Sequence, residues 1–208
     1  LGWFSAGADL GLLHQVASGH YAARRAPVDR INALVRAVRS CPCPVIASVE
    51  GGADGAGMAL MLACDMVIAD RAASFAAGQL AAGLTPSAGL SFFLAAAVPR
   101  WLVAELLFTQ TPVTAERLYQ LGVINQLTDK GHALVAAKAL AAHLSEGSEG
   151  ALQATKRLLG QVAYTSFDDQ LEAEADMLAT ALGTDEGQAR LASRLSGEKP
   201  GNKDRQDR

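Results

Sequence analysis

The sequence predicts an α/β fold, and three observations carry that prediction. A short β-branched run, a glycine-rich turn, an apolar helix and a second short strand follow one another over 44–69. Such alternation marks layered α/β domains. A second unit of Gly/Pro/Ser loop and apolar helix follows over 83–97, and from about 131 onward the pattern is helical.

Taken in order, 4–10 (FSAGADL) reads as a strand end breaking into a loop, where small residues allow close backbone approach. The pattern over 11–25 is weak and predicts a mobile loop or irregular helix. Over 27–39, Val28, Ile31, Leu34, Val35 and Val38 recur at helical spacing, with Pro27 and Asp29 suited to a first turn. Pro42 and Pro44 stop that helix, and 44–49 is a buried strand. A glycine turn over 50–57 leads into an apolar helix over 58–64, then a strand over 66–69. The helix over 90–97 is followed by another that Pro99 opens and that runs to Phe108. Thr114 caps a short helix that Gly122 ends, and 123–127 is the last strand. Ser166 is an N-cap with Asp168 and Asp169 behind it, and Gly183 stops that helix. The division expected is a core over 1–130, a helical and oligomerising region over 131–196, and a disordered polar tail over 197–208.

Composition narrows the function classes. The 208 residues are 50% hydrophobic and 19% charged, with net charge −3, which is globular. No basic stripe exists and aromatics are 5%, so nucleic acid is not an expected partner. The apolar run over 55–63 is too short to cross a membrane. Cys41, Cys43 and Cys64 make an odd count without a CxxC pair; they predict buried thiols in a reducing, cytoplasmic compartment and no metal site.

Two segments carry chemistry. One is the loop at 4–10; the other is 44–65, PVIASVEGGADGAGMALMLACD. In the second, Gly55-Ala56-Gly57 opens the apolar helix. The first N–H groups of a helix lack internal partners, and small residues leave them open to an oxygen gaining negative charge. A second donor is needed, and the Gly7-Ala8 loop is its natural source.

In this order and spacing the two segments resemble the crotonase (enoyl-CoA hydratase/isomerase) superfamily. The resemblance continues through Ser74-Phe75, Gly83-Leu84-Thr85-Pro86-Ser87-Ala88-Gly89, and Thr114-Ala115-Glu116 to Leu121-Gly122-Val123-Ile124-Asn125. It implies a spiral of ββα units with a C-terminal helical region. It also implies an acyl-CoA substrate, coenzyme A entering as part of that substrate with no separate cofactor, and a homotrimer or hexamer. By motif matching, the oxyanion-hole N–H groups fall on Ala8 and Ala56. Coenzyme A would lie along Ala6, Gly7, Ala8, Asp9 and Leu10, with Gly55 and Lys156 as further contacts. The family pattern has opening strands ahead of the first loop, where this sequence starts, so those strands are expected to be missing from this chain.

The acid positions depart from the pattern. The two glutamates of the hydratases match Ala59 and Gln79, and an aspartate of other members matches Ser87. None of the three exchanges a proton near neutral pH, and a general base is worth about 10²–10⁴-fold. Three readings stay open: an unusual acid or base beside the oxyanion hole, chemistry needing little proton transfer, or a non-catalytic acyl-CoA binder. Candidate substitutes are Asp54 in the glycine turn, His14 and His20 after the first loop, Ser87 as a donor, and Gln79 orienting a water or carbonyl. Asp9 and Asp65 suit turn and helix-end capping, and Arg24 and Arg25 join Lys156 as possible phosphate contacts.

Overall fold

The computed structural model describes residues 2–197. They divide into two compact units. The first runs to Cys41 and from Val45 to Ala139; the second takes Pro42–Pro44 and the chain from Leu140 on. The expected tail falls outside the described residues except for Gly197.

In the first unit, strand β1 (Ile46–Val49) alternates half-buried and buried residues, the period of a pleated strand against a core. The chain turns into β2 (Gly52–Asp54), helix α3 (Ala56–Leu62), β3 (Met66–Asp70) and β4 (Ser74–Ala76). A 3₁₀ turn at Gly78–Ala82 and the loop over 83–89 lead to a further helix at Leu90–Ala97. This is one ββα turn followed by another. Each strand of the first pairs in parallel with its counterpart in the second: Ile46 with Met66 in β1–β3, Gly52 with Ser74 in β2–β4. Helix Arg100–Thr109, strand β5 (Val113–Thr114), helix Ala115–Gln120 and β6 (Gln126–Thr128) complete the unit. The result is two three-stranded sheets, β1-β3-β6 and β2-β4-β5, with β5 the antiparallel member. Phe75, Met58, Met61, Leu90 and Leu94 are fully buried between these elements.

β2 and β4 escape a reading of propensity because they are three residues each, Gly-Ala-Asp and Ser-Phe-Ala, and pairing alone makes them strands. Gly52 has φ 144°, and a Cβ there would run into the Ser74 carbonyl. Asp70, almost wholly buried, accepts from the Gly51 N–H at 2.8 Å and holds the same turn.

The structure corrects several expectations. The segment 11–25 is ordered as helix α1 (Leu10–Val16) and the start of α2 (Tyr21–Ser40). Pro27 therefore lies inside α2 and not at its start: Ala22-Ala23-Arg24-Arg25-Ala26 are strong helix formers, and His20 caps the helix by accepting from the Ala23 N–H. Asp29 accordingly lies beyond the first turn and pairs with Arg25. The last strand begins at Gln126, because the N–H of Asn125 goes to the Val67 carbonyl and its side chain accepts from the Val67 N–H. None of the thiols is buried: Cys41 and Cys64 are half-buried and Cys43 is exposed.

The two units part within the helix Ala133–Leu144, whose Ala133 and Ala137 are buried. Glu50, at the end of β1, accepts from the Gly131 and Ala133 N–H groups at 2.9 and 2.8 Å and so caps that helix. The second unit holds helices Glu149–Gln161, Phe167–Leu182 and Asp185–Ser196. Among the described residues no helix is long and apolar enough to cross a membrane.

Candidate active site

The first loop is held against the second by backbone fit. Asp54 N–H donates to the Ser5 carbonyl at 2.9 Å, and Ser5 bridges Ala53 in parallel, adding one rung beside β2. Gly7 then turns with φ 88°, its N–H donating to Ser5 Oγ at 3.2 Å. A Cβ on Gly7 would stand 2.7 Å from the Asp54 carbonyl oxygen and 3.3 Å from the Ala56 nitrogen. A Cβ on Gly57 would stand 2.5 Å from Ser5 Cβ. Glycine at both positions is thus what lets the Gly7-Ala8 loop lie on the Gly55-Ala56 turn.

Gly55 has φ 52°, which only glycine adopts at little cost, and its N–H donates to the Ala76 carbonyl. The next amide, that of Ala56, opens α3, where a helix has no acceptor of its own. Neither Ala8 nor Ala56 N–H has an acceptor among the described residues. α3 is seven residues long, so its dipole is small and the two directed N–H groups are what the site offers an anion.

A cleft of about 720 Å³ lies over this floor. That is the size of a small-molecule site. Ala6, Gly7, Ala8, Leu10, Asp54, Gly55, Ala56, Gln79 and Ser87 all line it. Asp9, His14, His20 and Lys156 do not. Asp9 turns away to cap α1, accepting from the Leu12 N–H at 3.0 Å. His14 is exposed on α1, outside the lining, and His20 serves as the cap of α2. Lys156 belongs to the second unit, where its Nζ donates to the Cys43 carbonyl at 2.9 Å.

The positions matched to acids differ among themselves. Ala59 is fully buried in the core and does not line the cleft. Gln79 does line it, and its Nε2 and Oε1 are both buried without a hydrogen-bond partner. Leaving a buried donor and acceptor unpaired costs about 1–3 kcal/mol each. Ser87 sits half-buried beside Ala88, which holds φ 58°, a left-handed conformation that costs a non-glycine residue roughly 1–3 kcal/mol.

Leu13 and Val16 of α1, with Arg24, Val28, Ile31 and Asn32 of α2, form the remaining wall. Arg24 was expected as a phosphate contact, whereas Leu13 and Val16 were missed because 11–25 reads as irregular. The available signal was Leu10, Leu13 and Val16 recurring every three residues. Among the described residues, Arg24 and Asp54 are the charged side chains lining this cleft.

The sequence pattern of the family described as Enoyl-CoA hydratase/isomerase matches residues 2–198. The chain belongs to that family. This family member is 33% identical over 145 residues to the 1,2-epoxyphenylacetyl-CoA isomerase of Escherichia coli K12, covering 70% of this chain and 55% of the relative. It is 30% identical over 143 residues to the 2,3-dehydroadipyl-CoA hydratase of the same organism, covering 69% and 56%. The chain therefore spans little more than half the length of these two curated relatives. A crystal structure of an enoyl-CoA hydratase from Polaromonas sp. JS666 superposes with TM-score 0.91 at 33% identity, over 94% of this chain and 76% of that one. The paired ββα turns described above are the family's spiral.

Proposed function

We propose that this family member is an acyl-coenzyme A enzyme of the hydratase/isomerase type. It binds the thioester in the cleft and holds the developing enolate oxygen with the N–H groups of Ala8 and Ala56. The observation that carries this reading is the pair of unclaimed amides, brought to one floor by glycines at 7, 55 and 57. When charge moves onto a thioester oxygen, fixed donors stabilise it without reorganising, and one such donor is worth about 2.7–4 kcal/mol. Leu10, Leu13, Val16 and Val28 give the acyl chain an apolar wall, and Arg24 puts a cation where a coenzyme A phosphate can reach. The relatives named above act, by their names, on coenzyme A thioesters. Coenzyme A enters as part of the substrate and no separate cofactor is invoked.

Hydration in the two-carboxylate manner has no support, since Ala59 is in the core and Gln79 does not titrate. That same pair favours the second reading, an acyl-CoA binder without turnover. The apolar residues exposed on the helices of the second unit support assembly into a homotrimer or hexamer, and a cytoplasmic location accords with cysteines that form no disulfide among the described residues.

Titration with crotonyl-CoA and acetoacetyl-CoA, following heat and ultraviolet absorbance together, tests the proposal. Repeated loss of the enoyl absorbance establishes turnover. Stoichiometric binding with a shifted spectrum and no turnover selects the second reading. No heat and no spectral change with either ester refutes both.

A further inference from the structure

We propose that Asp54 is the proton-transferring group of this cleft, an inference that rests on the acyl-CoA reading above. Among the described residues it is the one carboxylate lining the cavity, and the positions matched to acids are Gln79 and Ser87 in the lining and Ala59 in the core. Its side chain is half committed. Oδ1 accepts from the Gly78 N–H at 2.9 Å, while Oδ2 takes no bond and stays solvent-accessible, on a residue that faces the cavity.

The main chain of Asp54 is fixed on both sides. Its N–H goes to Ser5, its carbonyl packs against Gly7, and it pairs with Ala76 in the β2–β4 ladder. Two residues later comes the Ala56 amide. Asp54 and one oxyanion donor, the Ala56 amide, are thus parts of one strand–turn–helix segment, and such pre-set geometry is what proton abstraction beside a carbonyl needs.

Gln79 supplies an independent sign of a ligand here. It follows Gly78, the residue that anchors Asp54, and its carboxamide is buried in the lining with neither end paired. A polar group on a bound acyl chain, or a water beside it, would satisfy both ends.

The step balances within the site. The Cα–H bond of the acyl group breaks and its proton passes to Asp54 Oδ2. The bond's electron pair forms the carbon–carbon double bond of the enolate, and the carbonyl π pair moves onto the thioester oxygen. The negative charge thus leaves the carboxylate for an oxygen facing the Ala8 and Ala56 amides. The reverse step returns a proton to Cα, or to Cγ of a 3-enoyl thioester, which shifts the double bond.

The experiment follows deuterium entry at the α-carbon of butyryl-CoA in D2O by proton NMR, with binding measured by calorimetry. It uses the full chain, Asp54→Asn and Asp54→Glu. Asparagine keeps an acceptor for the Gly78 N–H and removes the base. Wild type is expected to exchange, with a rate that falls on acidification. Asp54→Asn is expected to bind butyryl-CoA with unchanged Kd while exchange falls by about 10²–10⁴-fold and that acidic limb disappears. Asp54→Glu should restore part of the exchange. Exchange at the wild-type rate in a folded Asp54→Asn would overturn the proposal and leave Asp54 as a brace for Gly78. Should that variant not fold, a wild-type profile without the acidic limb overturns it equally. Binding by wild type without any exchange sinks Asp54 as base and leaves acyl-CoA binding standing, whereas no binding at all sinks the acyl-CoA reading itself.

Discussion

The two units of this chain are held together by different means. In the first, side chains such as Phe75, Met58 and Leu90 are wholly enclosed, and glycines at 7, 52 and 57 sit where a methyl group would strike another segment's atoms. In the second, no residue of the helices Glu149–Gln161, Phe167–Leu182 and Asp185–Ser196 is buried. Each instead has its own local cap, with Ser148, Ser166 and Thr184 accepting from the N–H three residues on. Steric fit between enclosed segments specifies the first unit, while the exposed helices of the second rest on local caps and on hydrogen bonds such as Ser148 to Glu186. The cleft belongs to the first because aligning two amides from distant segments requires backbones in contact.

The largest expected effect breaks the first kind of order. Phe75→Ala removes a fully enclosed ring and should cost about 3–5 kcal/mol in urea unfolding. A loss below 1 kcal/mol would show that this core is not tightly specified. Gly57→Ala comes next. Its methyl group meets Ser5, so overpacking should cost about 1–3 kcal/mol and push the first loop off the second. Calorimetry with crotonyl-CoA should then show weaker binding; an unchanged Kd in a folded variant argues against the shared floor.

The second unit should respond locally. Ser166→Ala deletes the cap of the helix Phe167–Leu182 and should cost about 1 kcal/mol. Hydrogen exchange should speed up in that first turn and not around Ala56; a uniform change across the chain would contradict local specification. Glu186 gives a smaller, pH-dependent term. The hydroxyl of Ser148, then Arg190, holds its carboxyl below the usual carboxylate range. A depressed value means that this stabilisation is present above the unfolded carboxyl's range and is lost as pH falls through the folded one. Exposure to solvent keeps it small. The difference in Tm between wild type and Glu186→Gln should therefore shrink on acidification, and a difference that grows has the wrong sign. Smallest of all, Leu195→Ala should change the monomer's stability by less than about 0.5 kcal/mol, since Leu195 is 82% exposed. A larger loss that scales with protein concentration would mean that another copy covers this face.

The same contrast explains what could be read in advance. Helix Leu90–Ala97, the Ser166 cap and the stop at Gly183 were legible because apolar spacing and capping groups lie within a few residues of the effect. The strand Ser74–Ala76 was not, because Phe75 becomes a strand residue by facing Ala53, which is far away in sequence. Helix α1 was obscured by Gly11 and by apolar residues on more than one face, though the capping role read for Asp9 is the one it takes.

The sequence by itself determined the α/β class, the family resemblance and which residues carry an amide at the two loops. It also determined that Ala59, Gln79 and Ser87 bear no titrating carboxylate. Only the tertiary structure decided that Ala59 lies in the core while Gln79 faces the cleft unpaired, and that Asp54 offers one oxygen to Gly78 and leaves the other accessible. The physical reason is that chemistry at this site depends on where backbones from residues 5–8, 52–57 and 76–79 meet. Those meetings are set by hydrogen bonds and steric exclusion between segments whose separation along the chain carries no local signal.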